Sequence, residues 1–189
     1  MKRVLFNIQR IFHTTDDEMN AIESVMQIRM LEKNEFLLKE NEICNTIGFI
    51  EQGSMRLFYE SPDKDICNNF FFENSLVGSL ASFLSQTPSI VTIAAIEKCE
   101  VLLFEYNNVV RLTREYPALK ALAAIIMQEQ LLMAEKREAS LLKDSPEKRF
   151  KKLLEEHPKI FKRIPLHYVA SYLGITPETL SRYRAKFLF

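Results

Sequence analysis

Pro165-Leu166-His167-Tyr168-Val169-Ala170-Ser171-Tyr172-Leu173-Gly174-Ile175-Thr176-Pro177-Glu178-Thr179-Leu180-Ser181-Arg182-Tyr183-Arg184-Ala185-Lys186-Phe187 is the stretch that decides the fold. It reads as two short helices joined by a tight turn. Val169, Leu173, Ile175 and Leu180 are spaced to share one small core, and Ala170 is small where the second helix must come close. Gly174 stands at the turn, where a positive φ is needed. Thr176 is a good N-cap and Pro177 a good first helical residue, so the second helix starts sharply. With Leu180 turned inward, Glu178, Thr179 and Arg182 share the outward face, followed by Tyr183 and Lys186. Arg can donate two hydrogen bonds to guanine, Glu can accept from the cytosine amino group, and Thr can touch a thymine methyl. These three are the expected base contacts. Thr176, Ser181, Arg184 and Lys186 suit phosphate contacts, which set register without reading sequence. The arrangement is a helix-turn-helix whose second helix fits a DNA major groove.

Working outward, Ser145 and Pro146 cap and start a preceding helix with Phe150, Leu153 and Leu154 on its apolar face. From Pro117 to Lys143 there is neither Gly nor a further Pro, which predicts a helix some 35–40 Å long. Ala121–Met127 is apolar nearly all round. One face is therefore expected on the chain's own N-terminal part and another on a twin subunit, with Leu122, Ile126 and Met133 on the dimer helix. Before it, short runs such as Phe36–Leu38, Ile47–Ile50, Met55–Tyr59, Phe70–Phe72, Leu76–Val77, Ile90–Ile93 and Val101–Phe104 alternate with turn clusters. They predict an antiparallel sandwich or roll. Ser79–Leu84 reads as one helical turn between strands. Thr15 and Glu18 form a capping-box pattern that opens a helix expected to run through Met19, Ile22 and Met26 to Ile28–Leu31.

The whole chain of 189 residues has 25 basic and 25 acidic residues, but the zero sum conceals a division. From Lys143 to Phe189 there are eleven basic and five acidic residues, a balance of +6, and the first 142 residues carry a balance of −6. A basic module joined to an acidic one suits a polyanion-binding part tethered to an effector part. Fourteen Phe and six Tyr exclude a disordered chain. No apolar stretch approaches the roughly 18 to 20 residues that cross a bilayer, and the N-terminus does not read as a secretory signal, so a cytoplasmic protein without membrane contact is expected. Cys44, Cys67 and Cys99, three dispersed cysteines, fit a reducing compartment and the role of small apolar residues.

Helix, short-stranded roll, long helix and a helix-turn-helix ending in Gly174-Ile175-Thr176-Pro177-Glu178-Thr179-Leu180-Ser181-Arg182 resemble, over nearly the whole chain, the Crp-Fnr family of bacterial transcription regulators. The resemblance implies an α+β chain with a cyclic-nucleotide-binding-like antiparallel β roll at residues 1–115, a dimerisation helix at 116–144 and a winged helix-turn-helix DNA-binding domain at 145–189. Any wing must come from the 159–165 segment. It also implies a homodimer that takes double-stranded DNA and RNA polymerase as partners. The family's base-reading Glu and Arg fall on Glu178 and Arg182, beside Thr179.

The effector half departs from the family's cyclic-AMP pattern. Where cyclic-AMP binders place a Gly-Glu pair and an Arg-Ser pair, this chain has Gly78-Ser79 and Ser89-Ile90, and Met133 and Ala134 stand where the family's long helix offers hydroxyls to the base. A phosphate there loses its charge-assisted partner. The expectation is therefore a small-molecule effector other than cyclic AMP, or none, with Gly78, Ser79, Ser89, Ile90 and Met133 around the pocket. No residue set points to a metal, a cofactor or a catalytic site, so an enzyme is not expected. The alternative reading is a ligand-binding regulatory protein whose C-terminal domain contacts a protein instead of DNA.

Overall fold

A computed structural model describes residues 2–158 and 160–187. Two N-terminal helices, α1 (Arg3–Phe12) and α2 (Asp16–Val25), precede eight strands: β1 (Gln27–Leu31), β2 (Phe36–Leu38), β3 (Thr46–Gln52), β4 (Met55–Tyr59), β5 (Ile66–Phe71), β6 (Leu76–Val77), β7 (Thr92–Ala95) and β8 (Cys99–Glu105). Helix α3 (Leu80–Ser85) interrupts the strands after β6. All pairings are antiparallel, in two four-stranded sheets ordered β1-β8-β3-β6 and β2-β7-β4-β5. Between them lie Leu31, Ile50, Met55, Phe71, Val77, Phe83, Ile93 and Val101, a core from which water is excluded.

The capping box forms as expected: Thr15 Oγ1 accepts from the Glu18 amide (3.3 Å) while Glu18 accepts from the Thr15 amide (2.8 Å). The helix it starts is shorter than the sequence pattern implied. It ends at Val25, and Ile28–Leu31 belong to β1, paired with Leu102–Cys99 of β8. Strand pairing, with Leu31 sealed in the core, outweighs the helical spacing of the apolar residues. Helix α1 had no sequence signal in this reading. Its Val4, Leu5 and Ile8 pack with α2 on the outer face of the first sheet, beside Leu102 and Phe104.

Helix α4 (Tyr106–Glu115) leads into the long helix α5 (Pro117–Lys143), and α6 (Pro146–Glu156) follows with Ser145 Oγ accepting from the Lys148 amide (3.2 Å). Then come α7 (Ile160–Arg163), α8 (Leu166–Leu173) and α9 (Pro177–Phe187). The segment expected to supply a wing folds as the helical turn α7, with Ile160 and Ile164 buried against Val169 and Leu173; Lys159 lies outside the described residues. Among the described residues after α5 there is no strand.

The C-terminal helices dock on the second sheet of the same chain. Ser171 Oγ of α8 accepts from the Cys67 amide (2.9 Å) and donates to the Asp65 carbonyl (3.0 Å), so α8 covers the free edge of β5. Beside it the Arg56 guanidinium lies between the rings of Phe58 and Tyr168 and pairs with Asp65 (2.8 Å). Arg163 closes the other end. It donates two hydrogen bonds to Glu73 (2.8 and 2.6 Å) and reaches Glu97 (2.7 Å). That fork holds the Glu73 carboxyl at about 2 instead of 4.5. Because the folded value lies below the unfolded one, this stabilisation is complete above pH 4.5 and fades as pH falls towards 2. Arg163→Met is therefore expected to lower unfolding free energy at pH 7 by about 1–3 kcal/mol, and by progressively less in acid, in urea titrations across that range.

Candidate functional site

The helix-turn-helix is built as a unit. Gly174 caps α8 with φ +65°, a left-handed conformation that disfavours any side chain with a Cβ. Thr176 Oγ1 accepts from the Thr179 amide (3.3 Å), so α9 begins at a defined residue. Phe150, Val169, Ala170, Leu173 and Leu180 are buried together, with Ile175 and Tyr183 packed against them. Phe150 is the hub: its ring lies 5.4 Å from that of Phe161 and 5.6 Å from that of Tyr183.

This core presents one side of α9 to solvent. Glu178, Ser181 and Arg182 are exposed, and Thr179 is half-buried between them. The Arg182 guanidinium donates to Thr179 Oγ1 (3.1 Å) and meets no carboxylate among the described residues. Hydrogen bonds from its own backbone amide and from Thr176 hold the Glu178 carboxyl below the usual carboxylate range, so it remains an ionised acceptor near neutrality. The expected base-reading trio thus shares one outward patch.

The four residues assigned to phosphate contact differ. Thr176 and Ser181 are exposed. Lys186 is exposed but paired with Glu147 of α6 (3.2 Å), and Arg184 is half-buried with its Nε sealed from solvent and unpartnered. A sequence spacing cannot register such competing neighbours on another helix.

The residues expected around an effector pocket have different surroundings. Gly78 lines a cavity of about 140 Å³ with Leu37, Leu38 and Glu42–Thr46, below the roughly 300 Å³ at which small-molecule sites begin. Ser79 is buried ahead of α3, and the Ser89 hydroxyl is spent on the Val91 carbonyl (2.9 Å). Ile90 is 68% exposed, and Met133 lies on the far half of α5. Phe83, whose ring meets Tyr106 edge-on at 5.3 Å, sits in the core between the sheets.

Helix α5 also divides differently from the expected seam. Leu119 and Leu122 are buried in the chain's own core and Ile126 packs half-buried against it, while Met133 lines a cleft further along the same face. The opposite face carries Ala121, Ile125, Leu132 and Leu142, all exposed. At about 100° per residue these four fall within one stripe, on the side turned away from the core. The three cysteines are free and buried; desolvation pushes the Cys44 and Cys67 thiols up and that of Cys99 to about 11, which keeps them protonated and unreactive.

The sequence of residues 28–116 matches the cyclic nucleotide-binding domain family. No curated protein sequence matches the chain. Its fold is similar to that of FixK2 from Bradyrhizobium japonicum, with a TM-score of 0.76 at 17% identity over 87% of this chain and 85% of that one. The c-di-GMP-responsive global regulator CLP of Xanthomonas campestris gives 0.73 at 15% identity over 92% of both chains. A Crp/Fnr-family putative transcriptional regulator from Eubacterium rectale gives 0.72 at 16% identity over 97% of this chain and 87% of that one. Thr176→Ala, which removes the cap of α9 and nothing buried, is expected to cost about 1 kcal/mol in thermal or urea unfolding.

Proposed function

We propose, from the match of residues 28–116 to the cyclic nucleotide-binding domain family and the likeness of the fold to Crp-Fnr regulators, that the protein is a homodimeric, sequence-specific DNA-binding transcription regulator. The observation that carries the reading is the outward patch of α9, where Glu178, Thr179 and Arg182 stand together on a capped helix above a packed core. Arg182 reads guanine through two donors and Glu178 accepts from a cytosine amino group, while Ser181 and Thr176 take phosphate oxygens at the helix start. The +6 balance of the C-terminal part draws the duplex in; the acidic remainder stays clear of it.

A second copy covers the exposed stripe of α5. Ala121, Ile125, Leu132 and Leu142 alternate at three- and four-residue steps with polar positions such as Gln128 and Glu135, the pattern of a two-helix seam. Isologous pairing along this helix sets two copies of α9 on one side of the dimer, as half-sites one DNA turn apart require. In the roll, the missing Glu and Arg and the small cavity argue for an effector other than cyclic AMP, or for none.

Arg182→Ala is expected to cost about 1–3 kcal/mol on cognate DNA and to relax preference at one base pair, read from binding titrations on duplexes selected from a random pool. Equal losses on cognate and random duplexes contradict its assigned role. Lys186→Ala, by contrast, weakens all duplexes alike. For the seam, Leu132→Glu is expected to yield a monomer in sedimentation at concentrations where the unaltered protein is dimeric, and to lose most DNA affinity with it.

A further inference from the structure

The C-terminal half of α5, strand β5 and helices α6 and α8 enclose a cleft of about 940 Å³, within the size range of small-molecule sites. Its charged lining is Lys136, Arg137, Lys143, Arg149 and Lys152 against Glu138, Asp144 and Glu156, so cations outnumber acids. The chain's other arginines at the domain junction have carboxylate partners: Arg56 pairs with Asp65, and Arg163 with Glu73 and Glu97. Arg137 and Arg149 have none among the described residues. Arg137 stacks on Tyr172, 3.7 Å from the ring centroid, and donates only to the Tyr172 carbonyl; its Nε is sealed from solvent without a partner. Arg149 donates to the carbonyls of Leu173 (3.0 Å) and Asp144 (2.7 Å). Of the lining acids, Asp144 is already committed to Lys148 (2.7 Å) and Lys152 (2.6 Å), and neither Glu138 nor Glu156 forms an ion pair with either arginine.

Two half-buried guanidiniums in one cleft, hydrogen-bonded to neutral carbonyls alone, leave cationic charge without a directly bonded anion. Desolvation, with a contribution from Arg149, lowers the Arg137 pKa, as expected for a cation that lacks an anion. Each retains N–H groups free of the carbonyls, enough to take several oxygens of one group. A phosphate, with three terminal oxygens, uses such donors better than a carboxylate with two. Asn68 and Asn69 on β5 supply further hydrogen bonds, and Met133, Leu141 and Leu153 supply apolar wall. We propose that this cleft binds a small phosphate-bearing molecule, a phosphomonoester whose phosphate is held by Arg137 and Arg149 and whose organic part lies towards β5 and Met133. The site joins α5 to the helix-turn-helix through Arg137 and Tyr172, so occupancy bears on the junction between the long helix and α8. It is separate from the interior of the roll.

The test is titration calorimetry on the full chain at fixed ionic strength, with ribose 5-phosphate, inorganic phosphate and ribose as probes. Ribose 5-phosphate is expected to bind saturably at one site per chain, inorganic phosphate more weakly, and ribose not at all. Arg137→Gln should weaken ribose 5-phosphate at least tenfold, whereas Lys120→Gln, on an exposed position of α5 outside the cleft, leaves it unchanged. Because Arg137 also ties α5 to α8, Arg149→Lys serves as a second variant that keeps the charge but loses the planar fork, and it too should weaken binding. Absence of a saturable isotherm, equal binding of ribose, or full affinity in both arginine variants overturns the proposal. No DNA enters the measurement, so its outcome is independent of the DNA-binding reading.

Discussion

Strand β5 pairs with β4 on one side and has no strand on the other. An exposed row of amides and carbonyls invites pairing with another molecule, and this chain answers by laying helix α8 along it. The hydroxyl of Ser171 takes the Cys67 amide and returns a hydrogen bond to the Asp65 carbonyl, while Tyr172 meets Phe70 ring to ring at 5.3 Å. Among the described residues, helices α6 to α9 are held on the sheet by the Arg163 fork and by that contact. It fixes α8, α8 fixes α9 through Ala170, Leu173 and Leu180, and the outward patch of α9 follows.

The same docking gives α5 its two faces. With the C-terminal helices held against the second sheet and α1 and α2 against the first, one stripe of α5 runs first along buried core at Leu119 and Leu122, then along the open cleft at Met133 and Arg137. The stripe opposite stays bare. A helix that is apolar nearly all round over Ala121–Met127 is thereby partly satisfied by its own chain, and the remainder is what a second copy can bury. Roll and helix-turn-helix are in contact by two routes: directly across β5 and the Arg163 fork, and along α5 through Arg137.

Much of the architecture was legible as sequence. The capping box at Thr15, the Ser145-Pro146 start, the Gly174 turn and the Thr176-Pro177 start all form where local chemistry indicated, because caps and turns depend on a few neighbouring residues. Ile28–Leu31 was read as helix because its apolar spacing fits either period, and only β8, seventy residues away, makes it a strand. The wing expected from 159–165 is a helical turn in residues 160–163, because Ile160 and Ile164 are drawn into the core around Phe150. Leu122 and Ile126, expected on a dimer seam, pack against the chain's own core, since a pattern apolar on all sides cannot say which stripe faces home.

By itself the sequence determined the succession of short strands, long helix and helix-turn-helix, the division of charge between −6 and +6, and which side chains α9 could turn outward once Leu180 is buried. These are properties of local spacing and composition. Tertiary structure alone decided that Lys186 meets Glu147, that Ser89 spends its hydroxyl on backbone, that Gly78 lines a small cavity while Met133 lines a separate cleft, and that two arginines share that cleft with no carboxylate bonded to either. Each of these depends on which distant residue comes within a few ångströms, a quantity fixed by packing and not by spacing along the chain.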